Sequence, residues 1–397
     1  PERLKMSTVR LLASVLAAFW LGLLTLMPVD RVAHAQSYEA HLPDDLSSHP
    51  ALCERVPCAD VFPGAQAFSP RMGQPPYVEA YGAADPQQPG KRQLLGYVML
   101  STDITDTPAY SGKPVVTLIG MDVQGRYVGV KVLKHSEPIL LLGIPEKALI
   151  DFNHQYLGKS VKDTIEVGPS RPDENVLGVD AISGATVTVI AQNQVMQLSG
   201  SAVARQVGII EPTVREPARF VENKRSYSWS ELEQLGAVQR LRVMPEQVGL
   251  DRGPEPFIEL WFGDLNHPDL GRSLIGAHGF ENLHAQLKPG DSAFFVVRTA
   301  GQESFKGSGF VRGGLYDRIQ VKQGADSFTF RDLDYLNLYG LEAAGAPSPT
   351  ESGIFIVRKG SFSAAYPWRL TFMGNRVDRA TGHRSFTSFE SRYWLPG

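Results

Sequence analysis

Cysteine is almost absent from this chain of 397 residues. The only two cysteines, Cys53 and Cys58, lie five positions apart near the N-terminus. Iron–sulfur clusters are held by sets of four ligands that are mostly cysteine thiolates. The chain therefore cannot ligate such a cluster by itself.

The chain also lacks a large excess of either positive or negative charge. The 39 lysines and arginines and the 42 aspartates and glutamates leave a formal net charge of -3. A chain without a strong positive field has no means of holding a polyanion or an acidic membrane surface. We therefore expect no nucleic-acid partner.

Long apolar runs are confined to the N-terminus. Basic residues precede an uncharged apolar run from Leu11 to Val29, and Ala33-His34-Ala35 supplies small residues for cleavage. This order is typical of an export signal, so we predict a signal peptide over residues 1–35 and a periplasmic location. An uncleaved anchor is the alternative, because the run approaches the roughly 20 residues that span a bilayer. Pro28 and the small-residue site favour cleavage.

Export bears on the two cysteines, because thiols outside the cytoplasm tend to be oxidised in pairs. We predict a local disulfide between Cys53 and Cys58. A redox-active pair and a metal site are the alternatives. The spacing is wider than Cys-x-x-Cys, and the neighbouring sequence lacks the further ligands that a metal site needs.

Apolar periodicity indicates two folded parts. Alternating strands with a hairpin turn at Gln124-Gly125 precede a segment of helical spacing, whose apolar stripe is interrupted by Gln194. Short aromatic and β-branched segments follow, with another helix among them. The predicted strands are 94–100, 115–123, 127–133, 257–262, 292–298, 315–321, 327–331, 354–357 and 368–372, and the predicted helices are 187–205, 229–240 and 272–287.

These elements predict an α+β fold. A first domain at residues 91–210 has an antiparallel sheet plus helices, and a second, β-rich domain occupies residues 255–397. Residues 36–90 are a leading segment. Residues 211–254 are charged and lack strong periodicity, so they are predicted as a partly helical connector outside either core.

The string Asp180-Ala-Ile-Ser-Gly-Ala-Thr-Val-Thr188 stands between the first sheet and its helix. Its small residues Ser183, Gly184 and Ala185 let an anion approach backbone N–H groups, and the N-terminus of the following helix attracts negative charge. The alternative is an ordinary N-cap, in which Ser183 or Thr186 satisfies the first turn of the helix.

The whole string resembles the flavinylation sequence of FMN-binding domains in the C-type subunit of sodium-pumping quinone reductase and the G-type subunit of its Rnf relatives. The residues that match are Asp180, Ser183, Gly184, Ala185, Thr186 and Thr188. The resemblance implies that Thr188 carries FMN covalently, through a phosphoester, and that a dedicated flavin transferase installs it from FAD. Residues 91–210 are then the FMN-binding domain.

Two other stretches resemble the same domains. His135-Ser136-Glu137-Pro138 is similar to their His-x-Glu element, and the apolar residues 139–144 are expected beside the flavin ring. In Tyr110-Ser111-Gly112-Lys113, Lys113 could neutralise the phosphate and Tyr110 could stack on the ring. The structural alternatives are a histidine at a strand end and a tight turn into the next strand.

Segments farther along the chain narrow the resemblance. The stretch at residues 110–114, the flavin motif, residues 304–314 and Phe330-Arg331-Asp332 look like the NosR/NirI family of nitrous oxide reductase maturation proteins, over residues 90–397. Members of that family continue into membrane helices and a ferredoxin-type domain. The resemblance implies an exported part of a membrane-attached protein that supplies electrons for maturation or activation of nitrous oxide reductase. That enzyme or its maturation factors would be partners.

Other functions stay open at this point. The chain could be a sensory or scaffold module that regulates nitrous oxide reductase expression, or an Rnf-type or quinone-reductase-type flavin subunit. A phosphate loop at residues 306–314 is disfavoured because the Gly-Lys-Ser/Thr order is missing. A copper site is disfavoured because His267, His278 and His284 lack compact spacing. We expect an electron-transfer component rather than a stand-alone enzyme, without a catalytic acid or base.

Overall fold

Both helices and antiparallel sheets are present, so the α+β fold class is confirmed. The computed structural model describes residues 42–88, 90–139, 143–307, 314–324, 326–358, 361–377 and 384–395. The predicted signal peptide and residues 308–313 of the glycine-rich segment lie outside these ranges.

The first part of the chain contains a five-stranded antiparallel sheet. Its order, β1-β2-β3-β4-β5, follows the sequence, because every connection joins neighbouring strands. The strands are β1 Ala67–Phe68, β2 Val78–Ala84, β3 Arg92–Leu100, β4 Val116–Asp122 and β5 Tyr127–Lys134. The predicted hairpin is confirmed between β4 and β5, where Gly125 has a φ of +87°.

The leading segment is part of this sheet, which the sequence did not indicate. It supplies β1 and β2, together with two short helices, α1 Leu52–Arg55 and α2 Cys58–Val61. A disulfide joins Cys53 to Cys58 and so links the two helices. The carbonyl oxygen of Val61 approaches β4 and β5 so closely that a Cβ at Gly120 or Gly129 would lie 2.1 or 2.0 Å from it. These glycines are what allow the segment to pack on the sheet.

Helices cover the opposite face of the same sheet. They are α3 Glu146–His154 and α4 Thr186–Gln206, and a parallel strand pair, β6 Thr164–Val167 and β7 Val176–Val179, lies beside them. Helix α4 confirms the predicted helix at residues 187–205.

The second part of the chain consists of two antiparallel sheets packed face to face. Their orders are β13-β14-β10-β9-β8 and β12-β11-β15-β16. The shared core is rich in aromatic rings, such as Phe262, Phe294, Phe355 and Trp368. The elements are α5 Trp229–Gln234, β8 Gln239–Val243, β9 Ile258–Asp264, α6 Pro268–Gln286, β10 Ser292–Gly301, β11 Leu315–Gln323, β12 Asp326–Arg331, β13 Tyr335–Leu336, β14 Glu351–Val357, β15 Trp368–Val377 and β16 Arg384–Tyr393.

Part of the predicted connector belongs to this second core. Trp229 and Leu232 of α5 are buried beneath α6, and β8 pairs with β9 along its whole length. Strand β8 reads Gln-Arg-Leu-Arg-Val and lies at the edge of its sheet, where its arginines face Glu259. Edge strands of this kind carry charge that protects them from further pairing. Because of these charged residues, the sequence analysis did not predict β8 as a strand.

Helix α4 is enclosed by both parts of the chain. It is buried on most of its circumference rather than along one stripe. Gln194, which interrupts the apolar stripe, accepts a hydrogen bond from the Thr329 hydroxyl on β12. The interruption therefore marks the side of α4 on which the second part of the chain packs.

Among the residues that the structure describes, no helix combines the length and apolar character needed to cross a bilayer.

The carboxyl group of Asp264 makes folding stability depend on pH. It is 4% exposed and accepts hydrogen bonds from the backbone N–H groups of Asn266 and His267. Burial raises the pKa of Asp264 from 3.8 to about 6, although these hydrogen bonds oppose the shift. The folded state thus keeps this proton where the unfolded state has lost it, so the contribution of Asp264 to stability falls as the pH rises from about 4 to 6.

Replacing Asp264 with asparagine should remove that pH dependence. The free energy of unfolding of the variant, relative to the parent chain, is expected to rise between pH 4 and 6 by up to about 3 kcal/mol, at 1.36 kcal/mol per pKa unit. Urea unfolding at several pH values measures this difference. Parallel curves for the two proteins would contradict the assignment.

Candidate functional site

Thr188 lies in the first turn of α4, at the end of the string that begins with Asp180. The chain enters the helix through Gly184, whose φ of +80° is a left-handed conformation that glycine adopts without strain. Ser183 and Gly184 are exposed, whereas Ala185 is buried and Thr186 is half-buried. Thr188 is only 2% exposed.

The N-terminus of α4 has no side-chain cap. Its N-cap residue is Ala185, which has no side-chain hydrogen-bond acceptor. Capping by Ser183 or Thr186, the alternative left open by the sequence, is therefore not observed. The N–H groups of the first turn lack a capping side chain, and such groups form the anion-binding ends of helices.

The carboxylate of Glu137 connects three stretches that the sequence singled out. It accepts hydrogen bonds from the backbone N–H groups of Tyr110 and Ser111, at 3.0 and 2.9 Å. The Thr188 hydroxyl donates a third hydrogen bond to the same carboxylate. Because Glu137 is only 6% exposed, these bonds are shielded from water and hold the threonine hydroxyl in one orientation.

His135 holds the backbone of Glu137 in place. It is 4% exposed, and its Nδ1 accepts a hydrogen bond from the backbone N–H of Glu137 at 3.2 Å. Its Nε2 lies 3.8 Å from a carboxylate oxygen of Glu146, the first residue of α3. His135 therefore shapes the turn that presents Glu137.

A cavity of about 230 Å³ adjoins Thr188. Tyr110 and Ile139 line it, together with Thr186 and Thr188 from the start of α4. Of the apolar stretch expected beside a flavin ring, residues 140–142 lie outside the described ranges. Thr188 is thus buried but faces an open space, rather than a filled core.

Lys113 and Asp180 do not line this cavity. Lys113 is exposed on the turn that follows Tyr110. Asp180 is also exposed, and its backbone is held by the side chain of Gln155, which accepts from its N–H at 2.7 Å and donates to its carbonyl oxygen at 3.1 Å. Asp180 thereby anchors the approach to the helix, and its predicted role in cofactor binding stays a prediction.

The second part of the chain supplies three further cavity residues that sequence reasoning missed. They are Asp317 and Arg318 on β11 and Asn375 on β15. These residues follow Thr188 by more than a hundred positions. No local motif surrounds them, so the sequence carries no signal that would have placed them beside Thr188.

These features fit the phosphate end of FMN. The cavity combines a hydroxyl, an uncapped helix N-terminus and one arginine. Pockets that enclose a whole drug-sized ligand measure roughly 300–1,000 Å³. The cavity is smaller, so it has room for the attached end of the cofactor but does not enclose the entire molecule.

Comparison with known proteins agrees with this geometry. Residues 110–198 match the family model of the FMN-binding domain. That range begins at Tyr110 and contains Glu137 and Thr188.

Three curated relatives extend the similarity beyond that domain. The chain is 40% identical to "Regulatory protein NosR" of Pseudomonas aeruginosa over 359 residues, which are 85% of this chain and 48% of that protein. It is also 40% identical to "Regulatory protein NosR" of Stutzerimonas stutzeri over 326 residues, or 77% of this chain and 44% of the relative. The chain is 27% identical to "Protein NirI" of Paracoccus denitrificans over 276 residues, which are 66% of this chain and 38% of that protein. The chain spans about half the length of the two more similar relatives.

Proposed function

Because the chain belongs to the NosR/NirI family, we propose that it is an exported electron-transfer module that carries FMN through a phosphoester on Thr188. The buried Thr188 hydroxyl, held by Glu137 at the edge of a cavity, is the observation that carries this proposal. Bound FMN would supply one-electron and two-electron transfer. A covalent bond would prevent its loss by dilution outside the cell.

The residues around Thr188 have distinct roles in this proposal. The first-turn N–H groups of α4 bind the phosphate, and the turn at Ser183 and Gly184 leaves the approach clear. A flavin transferase would use FAD as the donor. The Oγ–P bond forms on Thr188, the phosphoanhydride bond of FAD breaks, and AMP leaves. Glu137, which already accepts a hydrogen bond from that hydroxyl, is placed to receive its proton.

The similarity to the NosR relatives supports a biological setting for the proposed module. We propose that the full-length protein is attached to the membrane through downstream helices. Its periplasmic part then supplies electrons for maturation or activation of nitrous oxide reductase, in contact with that enzyme or its maturation factors. The names of the NosR relatives, which call them regulatory proteins, favour a second candidate: a module that regulates nitrous oxide reductase expression by binding a partner.

Covalent attachment is tested by making the exported chain together with a flavin transferase. Peptide mass spectrometry should find an FMN-sized adduct on the peptide that contains Thr188, and the purified protein should undergo reversible flavin reduction. An unmodified peptide from protein made under these conditions would remove the basis of the proposal.

A further inference from the structure

Arg318 is the cationic side chain among the described residues that line the Thr188 cavity. It comes from β11, in the second part of the chain, whereas Thr188 comes from α4. Its side chain is 12% exposed. Gly307 packs against its base so tightly that a Cβ there would lie 2.8 Å from Cγ of Arg318. The arginine is therefore held in place before any ligand arrives.

The guanidinium group of Arg318 has an ion pair with Glu303 but makes few hydrogen bonds with the described residues. Nη1 of Arg318 donates to the carbonyl oxygen of Met373 at 3.0 Å. Nη2 lies 4.0 Å from the Glu303 carboxylate, beyond hydrogen-bond distance, and the buried Nε has no hydrogen-bond partner among the described residues. A guanidinium group keeps its charge under all ordinary conditions and binds phosphate oxygens through its N–H donors.

The charges around the cavity call for a cation. The Glu137 carboxylate contacts the Thr188 hydroxyl, so an acidic group already lies beside the proposed attachment atom. A phosphate attached to Thr188 brings another negative charge into this poorly solvated space. Like charges repel strongly where water cannot screen them. The dipole of α4 offsets only part of that repulsion.

We propose that Arg318 binds the phosphate of the flavin at Thr188, so that the second part of the chain completes the flavin site. This inference rests on the proposed function, because it takes the cofactor to be FMN. It adds a residue outside the matched FMN-binding domain, residues 110–198. The flavin site thereby depends on the docking of β11 against α4.

The test compares binding of free FMN and free riboflavin to the full exported chain made without flavin transferase. The two ligands differ only in the phosphate, so their affinity ratio isolates contacts to that group. The parent chain should prefer FMN over riboflavin. Arg318→Gln should reduce that preference roughly 10- to 100-fold, the range for a lost charged hydrogen-bond pair, and leave riboflavin affinity unchanged.

Two further variants make the result decisive. Arg331→Gln removes one positive charge from the neighbouring strand β12, where Arg331 pairs with Asp106 at 3.1 Å, and should keep the full preference. Arg318→Lys keeps the charge without the planar pair of donors. It should retain a preference reduced several-fold, and it replaces Arg318→Gln if that variant does not fold.

The inference is overturned if the parent chain does not distinguish the two flavins or binds neither, or if the Arg318 variants keep the full preference. Its failure can be told apart from failure of covalent attachment. If an adduct forms on Thr188 but Arg318→Gln keeps the full preference for FMN over riboflavin, this inference is wrong and covalent attachment stands. If the preference for FMN depends on Arg318 but no adduct forms on Thr188, the phosphoester proposal is wrong and this inference stands.

Discussion

Valine in place of Thr188 should abolish covalent flavin attachment. The hydroxyl oxygen is the atom that would bond to phosphorus, and valine has the same shape without it. The fold should survive, because the Glu137 carboxylate keeps its hydrogen bonds from the N–H groups of Tyr110 and Ser111. Loss of one hydrogen bond is expected to cost about 1 kcal/mol. Intact-mass spectrometry of chain made with the transferase measures the modified fraction.

Two control variants separate the hydroxyl from general damage. Thr188→Ser retains a hydroxyl and should still be modified. Thr329→Val removes a threonine hydroxyl at the contact between β12 and α4, where Thr329 bonds to Gln194, and should be modified like the parent chain. An FMN-sized adduct on Thr188→Val would show that another residue is the acceptor. Denitrification in cells that carry Thr188→Val distinguishes an electron carrier, which loses function, from a partner-binding regulator, which keeps it.

The stretches around Thr188 could be predicted from the sequence because each is a short contiguous string that resembles part of a known domain. A run of small residues before a helix indicates a turn that an anion can approach, whereas the choice of Thr188 as the attachment residue came from the resemblance of the whole string to the flavinylation sequence. The structure adds that Tyr110, Glu137 and Thr188 meet through one carboxylate. The sequence had marked each of the three stretches without indicating that Glu137 joins them.

The rest of the cavity was not predictable in this way. Arg318 and Asn375 reach the site through the pairing of β11 with β15 and the packing of β11 against α4. Such contacts depend on how elements that are far apart in the sequence pack against each other. Alternation within a strand shows which side chains share a face, but not which surface that face meets. The sequence showed that Gln194 interrupts the apolar stripe of α4, but only the structure shows that its partner is Thr329.

Replacing Lys322 with methionine should cause the largest loss of stability among the changes considered. Lys322 lies on β11 with 11% of its side chain exposed, and its ammonium group contacts both Glu166 on β6 and Glu390 on β16, the latter at 2.8 Å. Removing one partner from a buried ion pair costs roughly 3–5 kcal/mol. Arg171 still pairs with Glu166 at 2.6 Å, so we expect a loss of about 3 kcal/mol in urea unfolding at neutral pH.

The same variant should lose less of its remaining stability in acid than the parent chain does. Burial raises the pKa of Glu390, but the charge and hydrogen bond of Lys322, with help from Arg369, outweigh burial and hold that pKa below its ordinary value of 4.5. Ionised Glu390 therefore contributes stability above that pH, and the contribution is lost as the pH falls through the lowered pKa. Without Lys322 the pKa of Glu390 rises, so this acid-dependent loss shrinks, and the difference in stability between the parent chain and the variant should narrow as the pH falls below 4.5; a constant difference in urea unfolding across this range would contradict the role of Lys322.

Lys131→Met is the matched control for this prediction. Lys131 pairs with Asp60, but the two side chains are 42% and 49% exposed, and exposed pairs contribute at most about 1 kcal/mol. A Lys322 variant no less stable than this control would contradict the role of the cluster. Because Glu166 and Lys322 come from the two parts that also contribute Thr188 and Arg318, weakening their contact should loosen the flavin site as well. The preference for FMN over riboflavin should then fall in Lys322→Met and remain intact in Lys131→Met.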